Sequence, residues 1–181
     1  LDKLQDITDI NAASSQAARE KAIQVKETLV KLLTVANEVK EKRIFVRIDM
    51  EDSQCVDLEI ELFRRLKHEF PKNVGLVLQA YLKRTSNVIH QMLDLHNSQV
   101  PLNFRLCKGI YVEPASIAFK KYEDINNHFL EDLEFMLKNK IHVGIATHDK
   151  PLVEGAYRLL KKYNVPKHMY EFQMLYGVTP K

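Results

Sequence analysis

Residues 104–113 read FRLCKGIYVE, a short apolar run that delivers two cations, a glycine and an aromatic side chain. Alternate side chains of a β-strand face opposite sides, so we expect Arg105 and Cys107 to share one face of a sheet. Lys108 and Gly109 mark the carboxyl end of this strand and the start of a loop, where a glycine permits a positive φ. The pattern predicts a cradle for an anion or a cofactor, and a buried strand with a solvated basic end is the alternative.

The alternation of apolar runs and helical periodicity extends in both directions from this stretch. Runs rich in β-branched and aromatic residues predict strands, and apolar residues spaced three and four apart predict helices. The predicted strands are Ile44–Ile48, Val74–Ala80, Leu102–Cys107, Ile141–Ala146 and Met169–Leu175. The predicted helices are Gln16–Lys40, Gln54–Glu69, Thr85–Asn97, Ala115–Asn139 with a candidate break near Asp124–Asn127, and Pro151–Tyr163.

Five strands that alternate with helices predict parallel pairing through right-handed crossovers. Two α/β architectures share this rhythm, namely an open doubly wound sheet and an eight-stranded barrel. The five glycines form neither a GxGxxG motif nor a phosphate-binding loop, which argues against a Rossmann nucleotide site.

Composition and charge exclude several classes of partner. The 181 residues are 45% hydrophobic and carry a net charge of only +3, which gives no general case for nucleic acid binding. No apolar run reaches the length of a membrane span, and the first ten residues do not resemble a signal peptide. Cys55 and Cys107 lack the spacing of a zinc site and suggest a reducing compartment rather than a disulfide framework.

Polar side chains stand at the end of each predicted strand. They are Asp49, Gln79, Arg105, Lys108, Thr147, His148 and Gln173, in chain order. In a barrel, all strand ends with this polarity meet at one rim, where active sites form. Structural explanations remain open, because Asp49 and His148 are also suited to capping the helices that follow, and Arg105 to pairing with Asp49.

Five blocks of sequence resemble the proline dehydrogenase family, in the family's order and spacing. They are FVRIDMEDS at 45–53, LVLQAYLKRT at 76–85, RLCKGIYVE at 105–113, GIATHD at 144–149 and YEFQMLYGV at 170–178. The resemblance covers about Ile44–Val178. It implies a (βα)8 TIM barrel that uses FAD to oxidise L-proline to 1-pyrroline-5-carboxylate and passes electrons to a quinone or another acceptor.

The resemblance also implies roles for individual residues. Asp49 and Arg105 match the catalytic pair, with Arg105 beside the flavin N5 and Asp49 orienting a cationic partner. Tyr111 matches the tyrosine that packs over the substrate ring, and no metal is implied. The implied cofactor-binding residues are Met50, Gln79, Arg105, Lys108, Gly109, Ile110, Thr147, His148 and Gln173, of which the last lies near the adenine-nucleotide arm together with Thr147 and His148.

Two family features are not found in this sequence, a lysine on an earlier strand and an arginine pair on a last helix that clamps the proline carboxylate. Five strands do not close an eight-stranded barrel. We therefore expect about five βα units of an incomplete barrel, either part of a larger molecule or a fragment. The expected organisation is a lead-in and helix at 1–43, followed by the central part of the barrel domain at 44–181.

Several alternatives stay open at this point. One is a relative that oxidises hydroxyproline, another is a barrel aldolase that forms a Schiff base on Lys108, and a third is a binding module that has lost the chemistry. The resemblance implies a cytoplasmic or inner-membrane-associated location in a bacterium, or a mitochondrial one in a eukaryote. It leaves peripheral membrane association open and implies no nucleic acid partner.

Overall fold

The computed structural model describes residues 45–178 and eight isolated positions between 20 and 38. All eight positions are helical, which agrees with the predicted helix Gln16–Lys40, whose other residues lie outside the described part of the chain. The chain divides into two compact units, Leu1–Ile44 and Phe45–Lys181, and each is described by itself.

Five parallel strands form a single sheet in the second unit. They are β1 (Val46–Ile48), β2 (Val74–Gln79), β3 (Asn103–Cys107), β4 (His142–Ala146) and β5 (Tyr170–Gln173). Neighbours in the sheet are also neighbours in the sequence. A doubly wound sheet changes direction at a switch point, whereas a barrel adds its strands in sequence. The predicted α/β fold with parallel strands is confirmed, and the strand order is that of five successive units of a barrel.

Four α-helices connect or follow these strands. They are α1 (Val56–Glu69), α2 (Thr85–Gln91), α3 (Tyr122–Lys138) and α4 (Lys150–Lys162). A 3-10 turn, Met92–Leu95, extends α2, and a second one, Lys167–Met169, precedes β5. Each crossover between neighbouring strands therefore contains one helix, as the alternation in the sequence predicts.

The predicted helix start at Ala115 and the candidate break near 124–127 are wrong. The helix α3 begins later, at Tyr122, and continues without interruption to Lys138. The segment before it pairs with the loop that follows β2, where the Phe119 amide donates to the Tyr81 carbonyl at 2.8 Å. Backbone groups used in this long-range pairing are not available for helical hydrogen bonds, so the local periodicity is overridden there.

The two faces of the sheet differ in chemistry. One face packs against the helices, and the rings of Phe63 in α1 and Phe104 in β3 lie 5.7 Å apart. The residues of this face are at most 1% exposed and include Leu76, Leu78, Phe104, Leu106, Val143 and Ile145. Each such side chain contributes about 1.5–3 kcal/mol through burial, so this layer stabilises the fold. The opposite face carries polar side chains, among them Gln79, Arg105 and Gln173.

A buried polar network holds the carboxyl end of β2. The Nδ1 of His128 lies 2.6 Å from the Ala80 carbonyl oxygen, and its Nε2 lies 2.9 Å from the Ser86 hydroxyl. The same hydroxyl donates to the Asp132 carboxylate at 2.5 Å. Since His128 and Asp132 belong to α3 and Ser86 to α2, this network ties the strand end to both helices and fixes the position of the preceding residue, Gln79.

The described residues contain neither a membrane-spanning helix nor a cluster of metal ligands. No helix in that part of the chain is long and apolar enough to cross a membrane. Within the same residues, no group of three or more His, Cys, Asp or Glu side chains is arranged to hold a metal ion. Cys55 and Cys107 are not joined by a disulfide.

Candidate active site

A cavity of about 970 Å³ opens where the five strands end. Small-molecule and cofactor sites typically occupy about 300–1,000 Å³, so this cavity is large enough for an extended ligand. Its lining comes from the ends of all five strands and from the loop after β3. This is the rim at which barrel enzymes place their active sites.

The structure brings all eleven predicted site residues to this cavity. They are Asp49, Met50, Gln79, Arg105, Lys108, Gly109, Ile110, Tyr111, Thr147, His148 and Gln173. Their convergence follows from the parallel sheet, because parallel strands deliver their carboxyl ends to the same edge. The individual roles of these residues stay predictions.

Arg105 is held by two side chains on different strands. Its Nη1 donates to the Asp49 carboxylate at 2.9 Å, and its Nε donates to the Gln173 carboxamide oxygen. The side chain of Arg105 is 32% exposed and that of Asp49 is 68% exposed, so the ion pair is partly solvated. A pair of this kind adds little stability, but the two contacts together orient the guanidinium at the edge of the cavity.

Gln79 is a buried amide with one end unused. Its Nε2 donates to the carbonyl oxygens of Met50, at 2.8 Å, and Glu51, at 3.3 Å, and the backbone carbonyl of Gln79 accepts from the Thr85 hydroxyl at 2.6 Å. The side chain is 3% exposed, and its Oε1 accepts no hydrogen bond from the described residues. A buried acceptor without a donor is costly, so Oε1 is suited to a ligand N–H group.

Lys108 is fixed by a carboxylate and an aromatic ring. Its Nζ donates to Asp149 and lies 4.4 Å from the centre of the Tyr122 ring. The Tyr122 hydroxyl donates to the other oxygen of Asp149 at 2.9 Å. Although burial opposes ionisation, these two hydrogen bonds hold the pKa of Asp149 below its usual value. The result is a cation of defined position at the end of β3.

The loop after β3 places Tyr111 over the acidic segment that follows β1. The Tyr111 hydroxyl donates to the Glu51 carboxylate, and this hydrogen bond raises the pKa of Tyr111 to about 12. Gly109 has a φ of +109°, and a Cβ at this position would collide with the Tyr81 ring. The glycine is therefore required both for the turn and for the close approach that brings Tyr111 to the cavity.

His148 joins the segments that follow β4 and β5, while Thr147 holds the turn after β4. The Thr147 hydroxyl accepts from the Asp149 amide at 3.1 Å, and the His148 Nε2 accepts from the Leu175 amide at 3.1 Å. Thr147 is 7% exposed, so it belongs to the wall of the cavity rather than to its rim.

Sequence reasoning missed two acidic residues of the site, Glu51 and Asp149. Both line the cavity, and they hold Tyr111 and Lys108 respectively. Each lies immediately beside a residue that the sequence did select, within the blocks at 45–53 and 144–149. Their position in those blocks was the available signal, but the partner of each lies tens of residues away in the sequence.

Glu59 of α1 contacts the segment that follows β1. Its Oε1 accepts from the Glu51 amide at 3.0 Å, while its Oε2 is buried and has no hydrogen-bond partner among the described residues. Burial raises the pKa of Glu59 from the usual 4.5 to about 7, against the lowering effect of the Glu51 amide. The carboxyl therefore changes its charge near neutral pH.

We expect Glu59→Gln to remove a pH dependence of stability. Between about pH 4.5 and 7 the folded chain keeps a proton that the unfolded chain has released, so rising pH destabilises the wild type across this window. The loss is on the order of 1 kcal/mol, because a half-buried carboxyl is partly screened by water. Urea denaturation at pH 5 and pH 8 measures it, with the exposed Glu154→Gln as control. Parallel pH dependence in wild type and Glu59→Gln contradicts the prediction.

Comparison with known sequences identifies the class of protein. The profile of the proline dehydrogenase family matches residues 1–181. Proline dehydrogenase 1 of Bacillus subtilis subsp. natto is 34% identical over 152 residues, which are 84% of this chain and 48% of that protein. Proline dehydrogenase of Deinococcus radiodurans is 36% identical over 140 residues, or 77% of this chain and 44% of that protein. The chain therefore belongs to the proline dehydrogenase family.

Solved structures agree with this assignment. Proline utilization A from Bdellovibrio bacteriovorus, inactivated by N-propargylglycine, superposes with a TM-score of 0.76 and 26% identity, covering 84% of this chain and 18% of that chain. A mutant of proline utilization A from Bradyrhizobium japonicum has a TM-score of 0.71 at 21% identity, which shows the shared fold alone. The chain spans about half the length of the curated proline dehydrogenases it matches, at 48% and 44% of their residues.

Proposed function

We propose that this chain carries the central part of an FAD-dependent proline dehydrogenase, which oxidises L-proline to 1-pyrroline-5-carboxylate. The main support for the proposal is that Arg105, Gln79 and Lys108 line one cavity. The chain that forms this cavity belongs to the proline dehydrogenase family. The division into a lead-in at 1–43 and a barrel segment at 44–181 is part of the same proposal.

The residues present fit a flavin dinucleotide. Gln79 offers a buried oxygen that receives no hydrogen bond from the described residues, and a ring N–H of the flavin would supply one. Arg105 and Lys108 place two cations at the cavity, which suits the diphosphate and a ring that gains electrons. Met50, Gly109 and Ile110 also line the cavity and offer backbone groups, and we place the adenine-nucleotide end at Thr147 and His148, after β4.

Bound FAD would supply the acceptor for the hydride that leaves the proline carbon bonded to the ring nitrogen. Arg105 would stabilise the negative charge that develops beside it, and Asp49 would hold Arg105 in the required orientation. Tyr111, fixed by Glu51, would pack over the substrate ring and exclude water. The oxidation also removes the proton on the ring nitrogen, and this proton would be released to water as the carbon–nitrogen single bond becomes a double bond.

The proposal also covers the electron acceptor and the cellular location of the protein. Electrons would pass to a quinone or another acceptor, and contact with a quinone would suit peripheral association with a membrane. The location would be cytoplasmic or inner-membrane-associated in a bacterium, or mitochondrial in a eukaryote. A nucleic acid partner has no support in a net charge of +3.

A Schiff-base aldolase finds no support in the geometry. Nucleophilic attack on a carbonyl needs a neutral amine. The Lys108 Nζ instead donates to the Asp149 carboxylate and lies 4.4 Å from the centre of the Tyr122 ring, so both contacts hold it away from a substrate carbonyl.

An absorption spectrum of the intact protein tests the proposed function. We expect a yellow protein whose flavin absorbance bleaches when L-proline is added under anaerobic conditions, and bleaches less with trans-4-hydroxy-L-proline. A folded intact protein that stays colourless with added FAD contradicts the proposal. Preferential bleaching by hydroxyproline overturns the choice of substrate, and borohydride-dependent trapping of a carbonyl compound on Lys108 overturns the reaction class.

We expect Gln79→Ala to weaken flavin retention about tenfold, because it removes the acceptor and leaves two backbone carbonyls without a donor. Flavin content after extensive dialysis measures the effect. Gln99→Ala, at an exposed loop position, is the matched control. Equal flavin content in Gln79→Ala and wild type contradicts this role.

A further inference from the structure

Gln173 and Arg105 touch although their strands are not neighbours. The strand β4 lies between β3 and β5, and the register aligns Arg105 with Gly144 and Gly144 with Glu171. In the next row of the same face, Ala146 is aligned with Gln173. The two β4 residues carry a hydrogen atom and a methyl group, so the Arg105 side chain can reach across β4 to its partner.

The Gln173 carboxamide is engaged at both ends. Its Oε1 accepts from the Arg105 Nε, and its Nε2 donates to the Glu171 carboxylate at 2.5 Å. A flipped amide would set N–H against the guanidinium N–H and oxygen against the carboxylate, so its neighbours fix its orientation. Glu171 is itself held by Arg47, whose Nη2 lies 3.4 Å from the same carboxylate oxygen.

Gly144 supplies the space for this arrangement. A Cβ at Gly144 would lie 2.7 Å from the Nε2 of Gln173 and 3.0 Å from the Nη1 of Arg47. Either side chain would have to shift to admit even a methyl group, because interiors are closely packed. The glycine is therefore matched to the polar row rather than to a turn.

We propose that Gln173, oriented by Glu171, is a positioning residue that sets the plane of the Arg105 guanidinium. The contact between Asp49 and Nη1 alone leaves the guanidinium free to rotate about that hydrogen bond, and the second contact at Nε removes this freedom. The inference rests on the proposed function, in which Arg105 stabilises charge beside the flavin. Under this inference, Gln173 acts on the cofactor through Arg105 and does not contact the cofactor directly.

The test compares Gln173→Leu with wild type in the intact protein. We expect unchanged FAD content, a reduction of the flavin by L-proline that is slower by about tenfold, and a more negative midpoint potential in dye equilibration. In the flavin-free protein, the ¹⁵Nε resonance of Arg105, assigned by its loss in Arg105→Met, should shift and its proton should exchange faster with water. Gln99→Leu, at an exposed position, should change none of these quantities.

A charge-neutral swap provides the rescue. The double variant Gln173→Glu with Glu171→Gln keeps an acceptor for the Arg105 Nε and a donor–acceptor pair between the two β5 side chains. We expect it to restore most of the rate and the Arg105 resonance. A purely structural role for Gln173 would not predict this recovery.

Three results overturn the inference. They are loss of FAD from Gln173→Leu with an undisturbed Arg105 resonance, an unchanged rate and resonance, or a swap variant no better than Gln173→Leu. If Gln173→Leu does not fold, Gly144→Ala is expected to shift the Arg105 resonance, and an unchanged resonance there overturns the inference. A wild type that is not reduced by proline refutes the proposed function instead, while the flavin-free resonance still tests the contact.

Discussion

Replacing Arg105 with methionine is expected to slow the proline-driven reduction of the flavin by about a hundredfold or more, because the variant lacks the cation that faces the developing charge. The fold should survive, since the Asp49 left behind is 68% exposed and stays hydrated. Stopped-flow absorbance with the flavin-loaded protein measures the rate, and circular dichroism checks the fold.

The matched control is Arg158→Met, an exposed arginine on the outer helix α4. It removes the same charge and adds the same side chain at a distance from the cavity, so its reduction rate should equal that of the wild type. Unchanged turnover in Arg105→Met, with normal flavin content, would remove Arg105 from the chemistry.

Gly109→Ala is expected to destabilise the protein by about 3 kcal/mol and to reduce its flavin content. The backbone at Gly109 has a φ of +109°, which disfavours any side chain, and the new methyl group would collide with the Tyr81 ring. Since Gly109 lies between Lys108 and Ile110 in the cavity wall, the loop that relaxes is the one that faces the cofactor. Urea denaturation and flavin content after gel filtration measure the two effects.

Gly177→Ala separates the effect of the positive φ from the effect of the collision with the Tyr81 ring. Gly177 also has a positive φ, of +80°, but a Cβ there would meet no atom of the described part of the chain within 4 Å. We expect Gly177→Ala to lower the free energy of unfolding by only about 1 kcal/mol and to keep full flavin content. The positive φ disfavours the alanine, but no collision adds to this effect. Equal losses in both variants would show that the Tyr81 contact does not matter.

The convergence of the site was predictable because it depends on local rules. Strand periodicity is short-range, and parallel strands necessarily bring their carboxyl ends to one edge. Asp49, Gln79 and Arg105 could therefore be placed together from the sequence alone. The same rules predicted the five strands. The strand order observed in the structure then distinguished a barrel from a doubly wound sheet.

The remaining features depend on contacts between distant parts of the chain. Lys108 and its partner Asp149 are 41 positions apart, and Arg105 and Gln173 are 68 apart. The start of α3 was misplaced for the same reason, because Phe119 pairs with Tyr81 from the preceding loop. Periodicity carries no information about such pairings.

The two faces of the sheet have a consequence for protein engineering. In β2 and β3 the odd-numbered positions, such as Gln79 and Arg105, line the cavity, while the even-numbered ones, such as Leu78 and Phe104, are sealed under helices. In β4 the parity is reversed, with Ala146 at the cavity and Ile145 beneath the helices. A mutant library confined to the cavity-facing positions, odd-numbered in β2 and β3 and even-numbered in β4, would vary the redox site while leaving the helix-covered layer unaltered.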